Sequence, residues 1–197
     1  MTESLLWLVV GYACGSIPFG WILARARSVD VRRVGSGNIG ATNVARALGW
    51  VAGLGTLLAD AAKGAIPVLL AERSAADPAV GAYAALGAVG GHVFTPFLKF
   101  RGGKGVATAA GAMLVVAPGP LLGAMLVFFG TVYCTGYVSA GSLSAALVLP
   151  LFAWLYGCPN MIVLASALMS TLIWIRHRDN LYRIANGTEP KIAFRHS

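Results

Sequence analysis

A chain of 197 residues that is 57% hydrophobic and only 11% charged cannot clothe a water-facing core, because a soluble domain of this size carries about 25% charged residues. Its formal charge of +8 could serve nucleic acid, anionic lipid or an anionic substrate; because the excess is pinned beside apolar runs, bilayer topology explains most of it, and nucleic acid is not expected as a partner. Cys14, Cys134 and Cys158 lie in apolar stretches without CxxC or Cys/His spacing and read as small buried hydrophobes, so neither a metal nor a cofactor is expected.

In chain order the apolar stretches are 4–24, 51–70, 78–93, 106–117, 120–134, 138–156 and 161–175, to be compared with the roughly 20 helical residues that cross a bilayer. The fourth and fifth are short and are parted by Ala117-Pro118-Gly119-Pro120. Merged, they would make a helix of about 43 Å, too long for one straight crossing. The expectation is an all-α, polytopic helical bundle of about seven transmembrane helices, forming a single domain over 1–197, with five or six crossings as the fallback. Orientation follows from the basic residues. The loop after the first stretch holds Arg25, Arg27, Arg32, Arg33 and Arg46, the loop after the third holds Lys99, Arg101 and Lys104, and the tail holds Arg176, Arg178, Arg183, Lys191 and Arg195. These are 13 of the 15 Lys and Arg, all on one face under seven crossings, which makes that face cytoplasmic, with the N-terminus outside and the C-terminus inside. Arg25 and Arg27 follow the first apolar run instead of preceding it, against a secretory signal peptide.

Polar chemistry gathers in three clusters. The first is Gly35-Ser36-Gly37-Asn38-Ile39-Gly40-Ala41-Thr42-Asn43, with Arg46 one turn onward. It contains GxGxxG and Asp60 lies about 20 residues beyond, yet a dinucleotide fold needs a preceding strand where this chain has an apolar helix. What remains is local physics. Glycines let backbone N–H groups converge on an anion near a helix start, Ser36, Asn38, Thr42 and Asn43 add hydrogen-bonding groups, and Arg46 adds a planar fork suited to phosphate. A small-residue helix contact explains the glycines but not the Ser, Thr and Asn between them.

The second cluster runs from Gly91-His92 to Arg101-Gly102-Gly103-Lys104-Gly105 and Thr108, again a glycine turn at a helix start, with Lys104 as a point charge. It is not a Walker loop, because position 98 is Leu and Gly105 follows the lysine. Phe94, Phe97 and Phe100 read as interfacial aromatics. In the third cluster, Arg176-His177-Arg178-Asp179-Asn180-Leu181-Tyr182-Arg183, His177 and Asn180 share one face if the helix continues, an acid/base or phosphate-ligand pair. GxSxG, HExxH, HxxxxD and paired carboxylates are all missing from the sequence. Asp60 and Lys63, three apart inside an apolar stretch, are costly in lipid and are expected to pair or to face the site.

Together, Gly15-Ser16-Ile17-Pro18-Phe19-Gly20, the 35–43 stretch, Gly91-His92 with 100–108, and His177-Arg178-Asp179-Asn180 with Gly187 and Glu189 resemble the bacterial membrane-bound acyl-phosphate:glycerol-3-phosphate acyltransferases, the PlsY family. Order and spacing hold from about residue 12 to 189; the departure is Thr95 standing between Phe94 and Pro96. The resemblance implies transfer of a fatty acyl group from acyl phosphate to the 1-hydroxyl of glycerol 3-phosphate, giving lysophosphatidic acid and phosphate, in the bacterial inner membrane. It implies that Ser36, Asn38, Thr42 and Asn43, with the Gly102 and Gly103 backbone, hold the acyl phosphate. Arg46, Lys104, His177 and Asn180, with Ser142, would hold glycerol 3-phosphate. It implies substrate-assisted chemistry without an acyl-enzyme, membrane lipid as surroundings, and a partner enzyme that produces the acyl phosphate. The alternative is a membrane carrier for organic phosphates or other anions; against it, the polar residues gather at one face and no inverted repeat is visible.

Overall fold

The computed structural model describes residues 2–74, 77 and 79–192. Pro78, where the third predicted stretch begins, and Arg195 of the basic tail lie outside them. The described residues contain helices and no strand. In order they are α1 (Thr2–Gly15), α2 (Phe19–Arg25), α3 (Ala41–Leu48), α4 (Trp50–Ser74), α5 (Ala79–Val93), α6 (Val106–Val116), α7 (Pro118–Thr135), α8 (Val138–Leu155), α9 (Asn160–Arg176) and α10 (Arg178–Ala185). They divide into two compact units, one ending at Val116 and one beginning at Ala117.

The expected seven crossings are not all span-length helices. Among the described residues four spans are long and apolar enough to cross a bilayer: Thr2–Arg25 (α1 and α2 together), α4, α7 and α8. A fifth is reached if α9 and α10, bent by 53°, are taken as one span. The reason is length. With 15 and 11 residues, α5 and α6 are about 22 Å and 16 Å long, against a hydrocarbon core of about 30 Å.

In the first unit the helices approach through missing side chains. A Cβ on Gly11 or Gly15 of α1 would strike the carbonyls of Ala84 or Ala88 in α5, and one on Gly87 or Gly91 of α5 would strike those of Leu8 or Tyr12 in α1. Each helix therefore offers a small-xxx-small pair to the other, the arrangement that lets backbones meet where lipid supplies no hydrophobic drive. The α4–α6 contact repeats the device, with Gly64 against the Thr108 carbonyl and Gly111 against that of Ala61. In the second unit α7 and α8 meet through larger partners: Gly119 faces the Tyr156 ring and Gly123 the Phe152 ring.

Candidate active site

The first glycine cluster is a loop closed by one side chain. Gly35 and Gly37 have φ of 58° and 68°, a left-handed backbone that costs other residues about 1 kcal/mol or more. Asn43, in the first turn of α3 and 1% exposed, reaches back into that loop. Its Oδ1 accepts from the Ser36 amide at 3.0 Å, and its Nδ2 donates to the carbonyls of Val31, Val34 and Asn38 at 3.0, 3.0 and 2.8 Å. Asn38 Oδ1 accepts from the Gly40 amide at 2.8 Å. The amides of Asn43 and Val44 return to the Gly40 carbonyl, leaving those of Ala41 and Thr42 at the helix start, where a helix attracts anions. Thr42 and Arg46, one turn apart, are both exposed on α3. The chain enters this loop through Asp30, whose carboxyl is held below its usual range chiefly by hydrogen bonding from the Arg32 side chain.

The second loop is held by backbone instead. The Gly102 amide donates to the Val93 carbonyl at 3.0 Å and the Gly103 amide to the His92 carbonyl at 3.1 Å, both at the C-terminal end of α5. The amides expected to face an acyl phosphate thus turn toward α5 and satisfy carbonyls that the helix end would orphan. Both residues must be glycine for this approach, since a Cβ on Gly102 would strike the His92 carbonyl and one on Gly103 the His92 ring. Lys104, half-buried, follows directly and precedes α6. Both loops rest on one apolar cluster, in which Ile39 of the first and Leu98 before the second are buried with Ala24, Val31, Val44 and Ala52.

His92, Asp60 and Lys63 lie beneath the second loop. Lys63 Nζ is 2.8 Å from Asp60 Oδ1, and His92 Nδ1 is 3.7 Å from the same oxygen. The expected Asp60–Lys63 pairing is present.

In the second unit, the helix does not continue through the third cluster: it bends at His177, which ends α9 and precedes α10. His177 and Asn180 are 2% and 4% exposed. His177 Nδ1 lies 2.8 Å from the Ile173 carbonyl, an acceptor, so Nδ1 carries the proton. Ser142, 5% exposed, donates to the Val138 carbonyl at 2.9 Å, leaving its oxygen as an acceptor. Sequence reasoning named Glu189 only as a point of resemblance and missed Ser139. Glu189 Oε1 accepts from Ser139 Oγ at 2.7 Å and Asn180 Nδ2 at 2.6 Å, and its Oε2 accepts from Arg183 Nε at 2.7 Å. Burial pushes the Glu189 carboxyl up, but these three hydrogen bonds and the Arg183 charge outweigh it and hold it below its ordinary value. The Gly187-x-Glu189 spacing was its sequence signal, but nothing local foretells a buried carboxylate there.

Helices suited to a bilayer, carrying two glycine loops and a buried histidine and asparagine near the C-terminal end, define an integral membrane protein. The chain belongs to the glycerol-3-phosphate acyltransferase family, whose model matches residues 5–187. The glycerol-3-phosphate acyltransferase of Geobacter sulfurreducens is 47% identical over 190 residues, covering 96% of this chain and 97% of the relative. That of Thermus thermophilus is 42% identical over 195 residues, covering 99% and 98%. The crystal structure of PlsY, an integral membrane glycerol 3-phosphate acyltransferase, matches in its glycerol 3-phosphate form with a TM-score of 0.92 at 39% identity, covering 96% of each chain. Its lysophosphatidic acid form matches with a TM-score of 0.89 at 38% identity, covering 96% of this chain and 95% of that one.

Proposed function

We propose that the protein transfers a fatty acyl group from acyl phosphate to the 1-hydroxyl of sn-glycerol 3-phosphate, at the cytoplasmic face of the bacterial inner membrane. One observation carries this: Asn43 is engaged entirely in holding the first loop, so the α3 start, Thr42 and Arg46 form a prebuilt anion seat in a lipid-embedded chain. Family membership supports it. Seven crossings put the 25–46 loop, the 99–104 loop and the C-terminal segment on one face, which their Lys and Arg make cytoplasmic, and the burial of Leu98 with Ile39 and Val44 supports that placement of the two loops.

Acyl phosphate is an activated mixed anhydride, so the reaction needs orientation and charge neutralisation more than a covalent nucleophile. The glycerol oxygen attacks the acyl carbon, the carbon–oxygen bond to phosphate breaks, and the hydroxyl proton leaves with a substrate phosphate group. Lys104 neutralises the developing negative charge. Ser36, Asn38 and Thr42 serve the acyl phosphate, with Asn43, Gly102 and Gly103 shaping the loops that receive it. Arg46, His177 and Asn180 serve glycerol 3-phosphate. Ser142, whose hydroxyl proton goes to Val138, suits a glycerol hydroxyl better than a phosphate oxygen. A separate enzyme supplies the acyl phosphate.

The test is phosphate release by purified protein in lipid. Phosphate should appear only when acyl phosphate and glycerol 3-phosphate are both present, and Lys104→Ala should lower kcat/KM by about 10³-fold. Uptake of organic phosphate into proteoliposomes with no ester formed would replace the acyltransferase with a carrier.

A further inference from the structure

Asp60, Lys63, His92 and Thr95 take no part in the ligand assignments above, yet each is at most 5% exposed. The first span breaks at Pro18, between the end of α1 at Gly15 and the start of α2 at Phe19. The Ser16 and Ile17 carbonyls therefore fall outside the helical ladder, where lipid cannot satisfy them and the Phe19 amide reaches only Ile17 O, at 3.1 Å. Both carbonyls have partners. Lys63 Nζ donates to Ile17 O at 2.7 Å, and Thr95 Oγ1 donates to Ser16 O at 2.6 Å. Lys63 is neutralised by Asp60, which in turn faces the His92 ring.

The other ends of His92 and Thr95 hold the second loop. The Thr95 carbonyl accepts from the amides of Leu98 at 3.3 Å and Phe100 at 2.9 Å, and the His92 carbonyl accepts from Gly103. Between these anchors Lys99 and Phe100 sit in left-handed backbone, with φ of 54° and 60°, a conformation neither side chain favours. The chain into Lys104 is therefore held against its local preference by anchors that reach down to the break in the first span.

From this we infer that Asp60, Lys63, His92 and Thr95 are positioning residues: they hold the 99–103 turn, and through it set where the Lys104 ammonium stands. Calling that ammonium catalytic rests on the acyltransferase reading above. A buried ion pair is poor evidence of stability, since matched apolar residues often replace one without loss. Its worth here is geometric: it fixes where span one, α4 and α5 meet under the loop. Thr95 supplies the hydroxyl that closes the break.

The test couples each anchor to Lys104. Asp60→Leu/Lys63→Met removes both charges at once and leaves the Ile17 carbonyl to the Phe19 amide; Thr95→Val removes one hydroxyl and keeps the shape. We expect kcat/KM to fall by about 100-fold in the first and about tenfold in the second. Adding Lys104→Ala to either should take activity no lower than Lys104→Ala alone, the non-additivity of residues acting through one group. Losses that multiply, or unchanged activity in Thr95→Val, overturn the inference. Amide exchange at Gly102 and Gly103 provides a readout without substrate. It should quicken about tenfold in Thr95→Val while α7 to α9 keep their protection, and unchanged exchange overturns the inference even if the double variant fails to fold. A wild-type protein inactive with acyl phosphate would remove the acyltransferase reading and leave the exchange result to decide on the anchors.

Discussion

The two glycine loops of the first unit look alike in sequence and are built by different means. The loop at 35–40 is closed by a side chain: Asn43 accepts one amide and donates to three carbonyls from the first turn of α3. The loop at 102–103 is closed by main chain, with two amides returned to the end of α5 across a gap that only glycine leaves open. The first construction leaves a helix start and its exposed Thr42 and Arg46 facing outward. In the second, the loop amides turn inward, and the charged side chain that follows them is Lys104. A glycine-rich stretch therefore says that backbone comes close to something, and only the hydrogen-bond inventory says whether that is a ligand or a neighbouring helix.

The sharpest way to break the comparison is at Asn43. Asn43→Asp keeps the acceptor and replaces the donor with an oxygen facing three carbonyls, so it should cost about 3 kcal/mol of stability and lower kcat/KM by roughly 100-fold. Thermal unfolding beside the phosphate-release assay measures both, and near-wild-type behaviour would show that the first loop does not depend on its side-chain clasp. Gly103→Ala tests the other construction, because its Cβ meets the His92 ring. Here kcat/KM should fall by about 30-fold with the first loop unaffected. His92→Ala in the same chain should recover part of the loss by vacating the space; no recovery would mean that the ring contact is not what limits the loop.

Much of this was legible before any coordinates. Hydropathy and the placement of Lys and Arg gave membrane helices, because lipid imposes a long, simple pattern. The Asp60–Lys63 pairing could be expected because charges inside a span must be matched. Three things were not legible. The shortness of α5 and α6 is one, since their apolar character is that of spans but their length is not. The bend at His177 interrupts the helix through which His177 and Asn180 were expected to share a face, and nothing at Arg176 or Arg178 signals a break as Pro or Gly would. The inward turn of the Gly102 and Gly103 amides depends on the carbonyls of Val93 and His92, nine and eleven residues back, a tertiary fact that local spacing does not carry.

The second unit extends the comparison with a milder perturbation. His177 Nδ1 is committed to Ile173, so removing the ring removes whatever Nε2 does. If Nε2 binds glycerol 3-phosphate, His177→Ala should raise KM for it by about tenfold with kcat at saturation little changed. A collapse of kcat with KM unchanged would make His177 the base and end the substrate-assisted mechanism.

Glu189 is a third kind of clasp, one that titrates, and it should give the smallest effect on turnover. It receives donors from α8 and α10, so it ties Ser139, Asn180 and Arg183 together, and its carboxyl stands below the ordinary 4.5. A carboxyl depressed by folding contributes stability at pH values above its unfolded-state value, and that contribution is lost as pH falls through the lower, folded-state value. Glu189→Gln turns an amide toward Arg183 and should cost about 2 kcal/mol at neutral pH. The gap between variant and wild type should close as the medium is taken below pH 4.5. Melting curves across that window decide it: a gap that persists unchanged into acid would mean that the carboxylate charge contributes nothing and that shape alone holds the C-terminal segment to α10.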